Sequence, residues 1–187
     1  IAPTKAYEGL PALTSAEACP RCGHSVGPYA SCALCLDDRP PAEATVRIGS
    51  YRGPLGELVR AAKYRDLRFG VPIMADLLLA KLQQRGLTES VDLVTAVPLH
   101  WRRYYWRGCN QAALLAQALR KRGLNRPLAR CLVRVRDTRP QVGLSRADRL
   151  ANVRGAFRVR RADLVRGRRI LLIDDVLTTG ATAGVCV

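Results

Sequence analysis

Acidic side chains are scarce in this chain of 187 residues, 15 against 31 lysines and arginines, and no glutamate follows Glu89. The shortage is uneven: residues 1–100 carry 11 basic and 10 acidic side chains, whereas residues 101–187 carry 20 and 5. Absent too is any apolar run of the roughly 20 residues that a membrane-spanning helix needs. The best candidate, Val71–Leu82, is interrupted by Pro72, Asp76 and Lys81. Ile1–Leu10 has no basic start leading into an apolar core, so it does not read as a signal peptide. There is no internal repeat, no low-complexity tract and no Gly-Lys-Ser/Thr of a P-loop. The two histidines, His24 and His100, lie in no evident triad pattern, so Cys109, Cys131 and Cys186 read as small core residues rather than nucleophiles. A soluble, cytoplasmic protein is the expectation. With no initiator methionine and an end at Val187 inside a helix start, both termini are expected to be trimmed.

What is present suits one α/β domain with a small appendage, at 48% hydrophobic and 25% charged residues. Of the 31 basic residues, 27 are arginine. A cationic half attracts polyanions, and the planar guanidinium fork fits phosphate best. Arginine-rich coding bias is the alternative for any single residue, but the asymmetry between halves favours a binding role.

Four of the seven cysteines, Cys19, Cys22, Cys32 and Cys35, form two C-x2-C turns separated by nine residues. Folding one turn against the other closes a tetrahedral four-sulfur site, so structural zinc is the expected occupant. A disulfide pair or a redox pair is the alternative, the first disfavoured in a reducing compartment. A closed site has no open coordination position: it stabilises a segment too short to fold alone and does no chemistry.

The zinc module is expected to span residues 1–45, with Arg39-Pro40-Pro41-Ala42 as linker, and the α/β domain residues 46–187. Val46–Tyr51 reads as a short strand. Pro54 opens a helix with Leu55, Leu58, Val59 and Ala62 on one face. A second helix runs Phe69–Arg85, closed by Gly86. Val91–Val97 reads as a buried parallel strand. Gly108–Arg122 is an amphipathic helix with Ala112, Leu115, Ala116 and Leu119 on its stripe, ended by Gly123. Ser145-Arg146-Ala147-Asp148 is a capping-box variant opening a helix through Val153. Phe157–Val159 is a short strand and Arg169–Ile173 the clearest buried one. The alternation implies a doubly wound parallel sheet flanked by helices. Ligands on such sheets bind beyond the carboxyl ends of the strands, which here means Pro98–Asn110 and Asp174–Gly184.

The stretch Ile170–Thr182 carries the most chemistry. An apolar strand ends in Asp174 and Asp175, where like charges are costly unless a ligand or metal uses them. Thr178, Thr179, Gly180, Ala181 and Thr182 then turn into a helix, and such a turn presents backbone N–H groups and hydroxyls to phosphate. Carboxylates do not favour phosphate. They accept from vicinal hydroxyls and help place a divalent ion. Anion socket and hydroxyl acceptors together describe a ribose 5-phosphate; an ordinary strand–turn–helix with a threonine cap is the alternative.

This stretch closely resembles the phosphoribosyl pyrophosphate signature of type I phosphoribosyltransferases. By that resemblance Asp174 and Asp175 hold the ribose 2- and 3-hydroxyls, and Thr178 through Thr182 hold the 5-phosphate, with magnesium accompanying the ligand. Four further pieces make the chain similar to the ComF family, competence-associated relatives of those transferases. They are the paired C-x2-C turns, the Leu58–Tyr64 segment, Val97-Pro98-Leu99 through Arg107-Gly108-Cys109-Asn110-Gln111, and Arg139-Pro140-Gln141 through Asn152 to Phe157. The resemblance covers about Cys19 to the end and implies that the C-terminal part of the domain is missing. Cys109 stands where the family usually has an aromatic, and the second cysteine turn lacks the glycine of the first. The resemblance puts pyrophosphate at Pro98–Arg107, with Arg102, Arg103 or Arg107 neutralising it and Asn110 and Gln111 orienting a phosphate or base. It puts a mobile catalytic loop at Arg139–Arg149, with Arg139, Gln141 and Arg146 closing over ligand.

The run Trp101–Trp106 interleaves arginine with aromatics, which suits stacking on unpaired bases as well as a solvated basic loop. Two functions are carried forward. One is an accessory protein that binds phosphoribosyl pyrophosphate or a nucleotide and handles single-stranded DNA beside the DNA-uptake machinery, as ComF membership implies. The other is an active phosphoribosyltransferase in which magnesium and arginine stabilise departing pyrophosphate. A zinc protein with a vestigial loop is a third reading, against which the intact acid pair counts.

Overall fold

The computed structural model describes residues 18–23, 32, 35, 42–51, 53–64, 67–141 and 143–187. Most of the expected 1–45 module, including His24 and the proline linker, lies outside the described residues, as do the side chains of Ala62, Lys63 and Tyr64.

Helix α1 (Pro54–Tyr64) opens on the proline, as its fixed φ favours, and buries Leu55 and Val59. Helix α2 (Leu67–Gln84) begins two residues before the expected start and carries Pro72 within it. It buries Val71, Met74, Ala75, Leu78, Leu79 and Leu82, a continuous i, i+3, i+4 stripe. A short helix α3 (Leu87–Ser90) follows Gly86.

Strand β1 (Leu93–Ala96) leads to α4 (Trp101–Arg107) and α5 (Gln111–Lys121). The helix expected over Gly108–Arg122 is α5, starting three residues later, and the run Trp101–Arg107, expected as a basic loop, is helical. Gly108, at φ 70, ends α4, and the Asn110 side chain accepts from the Ala113 N–H to start α5 afresh. Ala112, Leu115, Ala116 and Leu119 are all buried, as their spacing demands.

Strand β2 (Leu132–Arg134) pairs antiparallel with β3 (Phe157–Val159), and helix α6 (Arg146–Val153) lies between them in the chain. Ser145 caps α6 by accepting from the Asp148 N–H at 3.2 Å. Helix α7 (Ala162–Val165), strand β4 (Ile170–Ile173) and helix α8 (Ala181–Cys186) complete the chain. β1 and β4 are parallel, in the register Leu93↔Ile170 to Ala96↔Ile173, and an isolated parallel bridge joins Val94 to Leu128.

The expected doubly wound sheet is thus, among the described residues, a small parallel pair and a separate antiparallel pair. Side chains alternate across the parallel pair. Val94 and Ile173 join the core built by α2 and α5, while Leu93, Ile170 and Leu172 meet Cys131, Leu132, Leu164 and Val165 on the other face. Two further expectations are corrected. Val46–Tyr51 forms no strand; Val46 and Ile48 instead pack directly against the helical core, without ladder partners. β4 is less buried than its apolar run suggests, with only Ile173 fully inside, because no second strand covers its outer edge among the described residues. No described helix is long and apolar enough to cross a membrane.

Candidate functional site

Because β1 and β4 run in the same direction, their carboxyl ends lie side by side, and the Val97 N–H still donates to the Ile173 carbonyl at 2.9 Å. The segments that follow therefore begin as neighbours. After β4, Asp174 Oδ1 accepts from the Asp175 N–H at 2.8 Å, a local bond that turns the chain sharply at the strand tip. Val176 packs against the helical core. Thr178 is exposed, whereas the Thr179 Oγ1 is buried with no hydrogen-bond partner. Gly180, at φ 75, occupies the left-handed region and starts α8, where Ala181 is buried. The Thr182 Oγ1 accepts from Gln141 Nε2 at 3.1 Å, so the Arg139–Arg149 segment touches this turn through Gln141.

The segment after β1 is of a different kind. Pro98 is half-buried and leads to His100, which is buried at the start of α4. No residue of α4 is buried. Trp101, Tyr104, Tyr105 and Trp106 are exposed, the last at 87%. The Arg102 guanidinium lies 5.4 Å from the centre of the Trp101 ring, and Arg107 is exposed at the helix end. Arg103 is half-buried and donates to the Thr138 carbonyl. Asn110 spends both ends of its amide on the backbone, accepting from Ala113 and donating to the Val97 carbonyl at 3.0 Å. Gln111 is buried, with Nε2 3.8 Å from the Cys109 sulfur. Arg139 is exposed, and its backbone is clasped by Asn152, which donates to the Arg139 carbonyl at 3.0 Å and accepts from its N–H at 3.2 Å. Arg146 is exposed on the first turn of α6.

Residues that sequence reasoning passed over knit these segments together. Arg134, in β2, donates to the Thr138 hydroxyl and lies 5.2 Å from the centre of the Phe157 ring, and its Nε is buried without a partner. Burial, then the nearby Arg103, lowers its pKa, while Asp137, Cys186 and Asp174 act to raise it. The Cys186 thiol is pushed up to about 12 by burial and by Asp174. Asp137 gathers cations: Arg102 and Arg103 lie within 4.0 and 3.9 Å, and the buried His100 Nδ1 is 3.7 Å away without a hydrogen-bond partner. The available signal is an arginine inside the apolar run Leu132–Val135.

The four cysteines also come together. Their sulfurs lie within 4.8 Å of one another, with Cys19–Cys35 at 3.7 Å and Cys22–Cys32 at 3.4 Å. Tetrahedral zinc–sulfur bonds of about 2.3 Å space sulfurs by about 3.8 Å, so this donor set could hold a metal such as zinc. Although burial acts to raise its pKa, hydrogen bonds from the Cys22 and Arg21 backbone and from the Cys22 and Cys35 thiols pull the Cys19 thiol down to about 6. Cys35 is pushed up to about 12 by burial and by the neighbouring thiols. One easily ionised thiol among its neighbours is the electrostatics of a cluster that a cation would complete.

Comparison with known proteins settles the lineage. Over 178 residues the chain is 35% identical to the DNA utilization protein YhgH of Escherichia coli O6:H1, spanning 91% of this chain and 76% of that one. Over 170 residues it is 36% identical to Competence protein F of Haemophilus influenzae, spanning 88% and 74%. The chain belongs to the ComF family. No family model matches this ComF-family chain, and no solved structure matches it.

Proposed function

We propose that this ComF-family protein binds phosphoribosyl pyrophosphate, or a related nucleotide, at the turn 174–182 and serves in the handling of single-stranded DNA. The observation that carries the first part is the Thr179 hydroxyl, buried without a partner between an acid pair and a left-handed glycine. An unpaired buried polar group costs about 1–3 kcal/mol, which a phosphate oxygen accepting its proton would offset. Asp174 and Asp175, at the strand tip, suit the vicinal hydroxyls of ribose. The acids and the ligand's oxygens are hard donors of the type magnesium takes. Pyrophosphate fits the Arg102 and Arg107 side of the site, with Arg103, Asn110 and Gln111 acting as its scaffold rather than its contacts. On this reading residues 46–187 are a type I phosphoribosyltransferase-like domain, residues 1–45 a zinc module, and the compartment is the cytoplasm, where thiols stay reduced.

The DNA part rests on the relatives named for DNA utilization and competence, and on α4, where exposed aromatics alternate with arginine. The uptake machinery is the partner this implies. An active transferase is the second reading, favoured by the Gln141–Thr182 contact, which ties the segment between Arg139 and the Arg146 end of α6 to the turn. There the acids would orient the ribose while Arg139 and Arg146 met the departing pyrophosphate. A pyrophosphate-release assay across a panel of nucleobases, run beside thermal protection by magnesium and phosphoribosyl pyrophosphate, separates the readings. Protection without release is expected of the accessory protein, release with one base identifies the enzyme, and neither result would dismiss the ligand.

A further inference from the structure

The cysteine cluster and the turn 174–182 lie far apart in sequence, yet they touch. Gly23 closes the first cysteine turn, its N–H donating to the Cys19 carbonyl at 2.8 Å, with φ at 73. A Cβ on Gly23 would stand 2.9 Å from Leu177 Cδ2 and 2.7 Å from Thr45 Cγ2. A Cβ there would fit only if Leu177 or Thr45 shifted, so the knuckle backbone lies against Leu177, three residues after Asp174 and two before Thr179.

The knuckle is itself anchored. The Thr45 N–H donates to the Pro20 carbonyl at 2.9 Å, and its hydroxyl to the Arg21 carbonyl at 2.7 Å. Arg85, beyond the end of α2, donates to the carbonyls of Thr45 and Pro20 at 2.7 and 3.3 Å. The turn is thus held from two sides, by the core at Val176 and by the knuckle at Leu177.

We propose that the metal knuckle positions the ligand turn through the Gly23–Leu177 contact, so that metal occupancy and the conformation of residues 174–182 are coupled. Without a cation nothing gathers the four sulfurs, and a cysteine knuckle keeps its shape only while they are gathered. Metal loss therefore withdraws the surface on which Leu177 rests and frees the turn to move. Coupling of this kind is reciprocal: whatever stabilises the turn must tighten the metal site by the same factor. Leu177 and Gly23 are positioning residues that need not contact any ligand. That the positioned turn binds a sugar phosphate rests on the function proposed above; the coupling does not.

The test is equilibrium competition between the zinc-loaded protein and a chromophoric chelator. Leu177→Ala should weaken zinc binding about fivefold or more, and Leu177→Met, which refills the contact, should restore it. Magnesium with phosphoribosyl pyrophosphate should tighten zinc binding in the unaltered protein and not in Leu177→Ala. Unaltered zinc affinity in Leu177→Ala overturns the coupling. Weakened affinity in that variant, with no effect of the ligand on the unaltered protein, upholds the coupling and counts against the sugar-phosphate reading. Thr45→Ala gives a second handle that leaves the turn's sequence intact. In its zinc-loaded form amide exchange in 174–182 should rise severalfold while α5 keeps its protection, and unchanged exchange in the turn overturns the proposal as well.

Discussion

The two segments that leave the carboxyl ends of β1 and β4 start as hydrogen-bonded neighbours and then diverge in character. The one after β4 folds inward: a carboxylate bonded to the next N–H, a hydroxyl buried without a partner, and a glycine that admits the helix start. The one after β1 folds outward into a helix with no buried residue and four exposed aromatics. A partly buried turn with an unpartnered hydroxyl suits a small anionic ligand, whereas an open aromatic and cationic helix suits an extended one. The two share a sheet edge but need not share a ligand.

Four variants can break or sharpen that contrast. The largest effect is expected from Asp175→Asn, which should abolish thermal protection by magnesium and phosphoribosyl pyrophosphate while leaving single-strand affinity unchanged. Loss of both would mean that one ligand spans both segments. Trp106→Ala should weaken single-stranded DNA binding by about 1–3 kcal/mol in a fluorescence titration and leave the thermal protection intact. Thr179→Val removes a buried hydroxyl that has no partner, so the ligand-free protein should unfold at equal or higher denaturant. Its gain from the ligand should nevertheless fall by about 1–2 kcal/mol. The smallest change is in a slope: replacing Arg102 and Arg107 by alanine should reduce the salt dependence of single-strand binding by about 0.7 for each phosphate no longer neutralised. Arg103 is left out of that pair because it holds the Thr138 carbonyl and its removal would disturb the scaffold.

Much of this is legible along the chain. Pro54, the Ser145–Asp148 cap and the stripe Ala112–Leu119 place helices because capping and burial act over three or four residues, and each of these helices forms where its residues require. The cysteine spacing points to a four-sulfur cluster for the same local reason. The departures have physical causes as well. The run Trp101–Gly108 reads as loop and helix start because an exposed helix has no apolar period to betray it. Val46–Tyr51 has strand composition but no strand beside it. Arg134 gives only a weak sign of its place, its position inside the apolar run Leu132–Val135, because nothing local tells that it lies against Phe157 with its Nε buried.

The sequence by itself therefore determined most of the helices and strands, the cysteine cluster and the acid–threonine turn, since each depends on residues close together on the chain. Only the tertiary structure decided what those pieces touch. Parallel pairing brought the two segments to one edge, Asp137 drew in the cations around His100, and Gly23 came to rest on Leu177. Such contacts join residues far apart in sequence, and their energy comes from shape and burial, which no local pattern of residues encodes.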